Sequence, residues 1–203
     1  MYLDDVLQSE NGTWYLDFNL NCADKLDADA SDFGHDKSLK TVNSIRVVPL
    51  HDVVVKAGLP AYVAALREAG YDRLFPELKR DAVKGYGKPA GSWFNERFLG
   101  RRLSIKRTKK KTFHSFRHNF VTALERLDQP ERVMTQLAGH ERGKTQSGTR
   151  YAKDRDAGEL KAVIDRLTFP CLAGLQAFDS NAGLKAIRAA LRLKRPRISV
   201  SAR

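Results

Sequence analysis

Thr112-Phe113-His114-Ser115-Phe116-Arg117-His118-Asn119-Phe120 is the stretch from which the rest of the chain is read. Apolar residues at 113, 116, 120 and 124 recur at helical spacing. The pattern predicts a helix from about Thr112 that turns Phe113, Phe116, Phe120 and Leu124 to a core. His114, Arg117, His118 and Val121 then share a neighbouring face, because residues three and four apart are adjacent on a helix. His114 and Arg117 can therefore reach one anion together. Arginine presents a planar, permanently charged fork to two oxygens, and histidine exchanges a proton near neutral pH.

Downstream, Pro130 suits a first helical position, Val133, Met134 and Leu137 follow, and Gly139 ends the helix before His140. Arg150-Tyr151 comes next. Asp156 with Glu159 three residues on reads as a capping box, with Leu160, Val163, Ile164 and Leu167 as the buried stripe. A final amphipathic helix is expected over roughly Ala182 to Leu193. Upstream, Ser92 is expected to cap a helix carrying Trp93, Phe94 and Phe98, and residues 76–90 read as loop. Val53 to Ala69 reads as two helical pieces broken at Gly58 and Pro60. Trp14, Leu16, Phe18 and Leu20 alternate with polar neighbours, as in a strand. Lys37 to Thr41 and Ile45 to Leu50 read as two more strands joined by a turn at Val42-Asn43. Strands first and helices after give an α+β fold, mainly helical, with a small antiparallel three-stranded sheet. We divide the chain into a domain over 1–180 and a C-terminal helix with a basic tail over 181–203.

The 203 residues carry a formal net charge of +12, which favours polyanionic partners. The charge is unevenly spread. Residues 1–36 contain nine acids (Asp4, Asp5, Glu10, Asp17, Asp24, Asp27, Asp29, Asp32, Asp36) against one base, Lys25, so the remainder is more basic than the total implies. Residues 101–111 hold Arg101, Arg102, Lys106, Arg107, Lys109, Lys110 and Lys111 with no acid, and lead directly into His114 and Arg117. Their position beside these residues favours contact with a nucleic-acid backbone over a merely solvated charge run. Lys144 belongs to the same expected surface. The two cysteines, Cys22 and Cys171, make no metal pattern and suit a reducing cytoplasm. No apolar run reaches the ~20 residues of a membrane span, and no secretory signal opens the chain.

Each element of the site is weak by itself. His-x-x-Arg is common on surface helices, a histidine after a C-terminal glycine is often incidental, and most tyrosines are structural. The order His-x-x-Arg, Gly-His, Tyr within about forty residues is more specific. It assembles what metal-free cutting of a phosphodiester by a tyrosine requires.

The segments HSFRHNFVTAL (114–124), LAGHERGKTQSGTRYAK (137–153) and LKTVNSIRVVPLH (39–51) resemble the conserved boxes and the β-hairpin of tyrosine recombinases, the phage integrase family. The resemblance runs from about Lys37 to Leu167. It implies a DNA breaking-rejoining catalytic domain acting in site-specific recombination, with phage or mobile-element integration as its setting. By that resemblance Tyr151 is the nucleophile, Lys40 the general acid at the hairpin tip, and Arg117 the phosphate clamp, with His114 and His140 assisting. It also implies double-stranded DNA as partner, a homo-oligomer (a tetramer on DNA), a bacterial cytoplasmic setting, and no cofactor or metal. The family pattern has a further arginine ahead of the hairpin sheet. The first arginine here is Arg46, which reads as part of the sheet face and is not expected to substitute for it. The expectation is therefore an N-terminally truncated chain with impaired cleavage. Three alternatives stand beside this: an inert DNA-binding module derived from an integrase, a metal-dependent nuclease, and relaxation of the type IB topoisomerase kind.

Overall fold

The computed structural model describes residues 1–20, 37, 44–81, 85–106, 108, 111–140, 154–172 and 174–193. Among them the fold is mixed, with a small sheet and helices that follow it in sequence. Strands β1 (Val6–Gln8), β2 (Trp14–Phe18) and β3 (Arg46–Pro49) form an antiparallel sheet in that order, with Leu16 opposite both Val6 and Val48. The helices are α1 (Asp52–Lys56), α2 (Leu59–Glu68), α3 (Gly87–Ser92), α4 (Ser115–Arg126), α5 (Glu131–Ala138), α6 (Ala157–Ile164) and α7 (Ser180–Leu193). A π-helix, Trp93–Arg102, continues α3 without interruption.

The sheet divides two cores, as alternating side chains on a pleated strand allow. Leu16 and Trp14 pack on a cluster of Leu3, Val6, Val63, Leu66, Leu74 and Ile187. Val47, one position out of phase with Val48, packs on the other cluster, built from Leu124, Val133, Leu137, Leu160, Val163, Ile164 and Leu167. Ile187 thus ties α7 into the first core, beside α2. The second core holds α4, α5 and α6 against β3, and so fixes the helix that carries Arg117. Leu124 is fully buried there. Leu124→Ala is expected to cost about 2–5 kcal/mol through lost transfer energy and a residual cavity. Urea unfolding with an unchanged slope against denaturant would register it as a lower midpoint.

Several expectations are met at residue level. Gly58 takes a left-handed backbone (φ 95°) between α1 and α2, and Pro60 lies in the first turn of α2. Asp156 and Glu159 form the reciprocal capping box of α6. Leu160, Val163, Ile164 and Leu167 are buried as one stripe.

Other expectations are corrected. β1 takes the sheet position beside β2. Of the expected strand Lys37–Thr41, only Lys37 is among the described residues, and it bonds the buried Asp5 at 2.6 Å and Asn19 at 2.7 Å. Ser92 caps nothing, since α3 begins at Gly87 inside the expected loop and runs through Ser92. α4 begins at Ser115. Phe113 and Phe116 lie outside the core at 54% and 58% exposure. Both rings instead pack edgewise or tilted on Phe94, which stacks on Phe98, and Phe98 stacks on Trp93.

Candidate functional site

The start of α4 places the first histidine. Ser115 Oγ accepts from the Thr112 N–H at 3.0 Å, and so takes part in closing the first turn. His114 occupies the N-cap position, and its imidazole makes no capping bond. The ring stands edge-on to that of His118, one turn along, with centroids 4.9 Å apart.

Arg117 lies between them in sequence and reaches the end of α5. Its Nε donates to His140 Nε2 at 3.0 Å, and its Nη2 donates to the Gly139 carbonyl at 3.3 Å. α5 stops at Gly139 because that residue adopts φ 65° and its N–H closes on the Thr135 carbonyl. Glycine enters this left-handed region without the clash a Cβ brings. The His140 N–H also closes on Thr135, so the imidazole leaves the helix end beside Arg117. The sequence order His-x-x-Arg, Gly-His has become one cluster on two helix ends.

The electrostatics agree with this geometry. Burial lowers the His140 pKa from its ordinary 6.5, and the neighbouring Arg117, His118 and His114 lower it further. A neutral imidazole is the form that can accept from Arg117 at Nε2. Since the folded state prefers neutral His140, the unfolded chain binds the proton first as pH falls. This group's contribution to stability is therefore present above pH 6.5 and declines as acid is added through the unfolded pKa. We expect an NMR titration to place the His140 midpoint below 6.5, and Arg117→Gln to move it upward.

Arg46, expected on the sheet face, is also drawn to this place. Its Nε donates to the Leu137 carbonyl at 3.2 Å and its Nη1 to the Ser44 carbonyl at 2.8 Å. The guanidinium lies 4.3 Å from the Phe18 ring centroid and against the Cα of Gly139. Burial and the charge of Arg117 lower its pKa. Sequence reading leaves it on the sheet face because a strand position says nothing of how far a long side chain reaches.

The structure thus brings together His114, Arg117 and His140. Lys40 and Tyr151 lie outside the described residues, as do Arg107, Lys109, Lys110 and Lys144. Of the remaining basic candidates, Arg101 and Arg102 end the π-helix, and they, Lys106 and Lys111 are exposed. The Phe113 N–H donates to Asn95 Oδ1 at 3.0 Å, which joins that helix to the turn before His114.

A search of family models, curated proteins and solved structures finds no match to the chain. Among the described residues no helix is long and apolar enough to cross a membrane, and no three His, Cys, Asp or Glu side chains group to hold a metal ion.

Proposed function

We propose that the chain is a catalytic domain of the tyrosine recombinase class, cutting and rejoining double-stranded DNA during integration of a mobile element. The observation that carries this reading is the meeting of Arg117, Gly139 and His140, with His114 and His118 alongside. The sequence order His-x-x-Arg, Gly-His independently assigns His114, Arg117 and His140 to one site. Cationic and proton-exchanging groups converge there without a carboxylate bonded to Arg117 among the described residues, as a phosphodiester site requires.

In the proposed step, Tyr151 Oη bonds to the scissile phosphorus while the bond to the 5′ oxygen breaks. His114 takes the phenolic proton, and Lys40 gives a proton to the departing oxygen. The 3′-phosphotyrosyl ester retains the energy of the phosphodiester, so attack by a 5′ hydroxyl reverses the step without a nucleotide cofactor. Arg117 holds the non-bridging oxygens as charge develops on them. Arg101, Arg102, Lys106, Arg107, Lys109, Lys110, Lys111 and Lys144 track the duplex backbone, with a homo-oligomer on DNA as the working assembly in a bacterial cytoplasm.

The test is a pool of duplexes nicked near randomised sequence, so that cleavage releases a short fragment and traps the protein on DNA. A denaturant-stable protein–DNA adduct is expected. Its absence across the pool, with duplex binding intact, would favour the inert DNA-binding module instead.

A further inference from the structure

We propose that Arg46 is the second arm of the phosphate clamp, donating together with Arg117 to one anion seated beside Gly139. The inference rests on the strand-transfer reading for the identity of the anion as a DNA phosphodiester, and on geometry for the rest.

Two guanidinium groups meet at a single glycine. Arg117 Nη2 donates to the Gly139 carbonyl, and Arg46 packs on the Cα of the same residue. A Cβ on residue 139 would fall 2.8 Å from Arg46 Nη1 and 2.9 Å from its Cζ. Glycine thus leaves room for the guanidinium where it lies, since a Cβ would push the Arg46 side chain aside and the left-handed φ would strain most other residues.

Neither arginine is bonded to a carboxylate among the described residues. Two like charges held together and partly out of water repel one another, and a bound anion relieves that repulsion. Burial first, and then the charge of Arg117, lower the pKa of Arg46, in keeping with that repulsion.

The remaining bonds set direction. Leu137 and Ser44 carbonyls hold Nε and Nη1 of Arg46, and Phe18 backs the plane. His140 and Gly139 hold Nε and Nη2 of Arg117. Arg46 Nη2 and Arg117 Nη1 donate to nothing among the described residues, so each fork keeps an unused prong. Orientation is fixed before any ligand arrives, which is how a clamp avoids ordering its side chains on binding.

The competing role for Arg46 is structural: a cation capping the last carbonyls of α5. Calorimetric titration with inorganic phosphate at low ionic strength separates the two. Arg46→Gln and Arg117→Gln are each expected to weaken phosphate binding by about tenfold, the order expected for losing charge-assisted hydrogen bonds. Lys56→Gln, removing an exposed cation on α1, is expected to stay within about twofold of the wild type on screening grounds. Arg46→Lys keeps the charge without the fork, so it covers the case in which Arg46→Gln does not fold, and it too should bind phosphate several-fold more weakly.

A purely structural Arg46 predicts lower melting temperatures with phosphate affinity unchanged in the folded variants, and that result overturns the proposal. So does a wild-type chain with no saturable phosphate binding. The adduct assay keeps the two readings apart. Phosphate binding that depends on Arg46 without any adduct leaves the clamp and removes strand transfer. An adduct formed by Arg46→Lys at the wild-type rate, with wild-type phosphate affinity, leaves strand transfer and removes the clamp.

Discussion

Tyr151→Phe is expected to abolish the covalent DNA adduct while leaving the affinity for duplex DNA, and its dependence on salt, unchanged. The substitution removes one oxygen and nothing else, so any adduct that survives must come from another nucleophile. Tyr151 is singled out by its place in the sequence, shortly before a residue anchored beside the cluster. Arg155 is fixed to the end of α5, since its N–H donates to Gln136 Oε1 at 3.2 Å and its carbonyl accepts from Gln136 Nε2 at 2.8 Å. Gln136 is buried one turn before His140. Tyr151 lies four residues before Arg155 in the sequence, outside the described residues. Denaturing electrophoresis of labelled DNA reads the adduct, and a salt series of binding curves reads the backbone contacts. An adduct of undiminished yield in Tyr151→Phe would remove the tyrosine mechanism.

The parts of the fold legible in the sequence are those set by local rules. The Asp156 and Glu159 cap, the left-handed glycines at 58 and 139, and the stripe from Leu160 to Leu167 each follow from a few neighbouring residues. The parts that escaped are set by contacts distant in sequence. β1 is three residues long, too short to show a period, and exists because Val6 pairs with Leu16 and buries against Val63 and Leu66. Phe113 and Phe116 have the spacing of core residues, yet the π-helix presents Phe94 to them and the aromatic group forms on the outside. The site follows the same division. His114, Arg117 and His140 were readable because two helix ends bring them together. Arg46 was not, because its place depends on β3 lying beside the end of α5.

Arg117→Gln is expected to slow single-turnover adduct formation by about 10²–10³-fold, the usual loss when one preorganised donor to a developing oxyanion is removed. Glutamine keeps a hydrogen-bond donor but lacks both the charge and the fork. The fold should tolerate the change, because Arg117 contributes through polar bonds at a helix surface while Phe120 and Leu124 on the same helix hold the core. A thermal melt close to that of the wild type, beside a large kinetic deficit, would assign the loss to chemistry rather than to unfolding. Arg117→Lys should recover part of the charge and little of the rate, since a single ammonium cannot bond His140, Gly139 and two phosphate oxygens together. The same substitution releases His140, whose Nε2 then has no guanidinium donor, so the pH dependence of cleavage should move with the His140 titration. Cleavage by Arg117→Gln at the wild-type rate would show that this guanidinium does not meet the phosphate in the transition state.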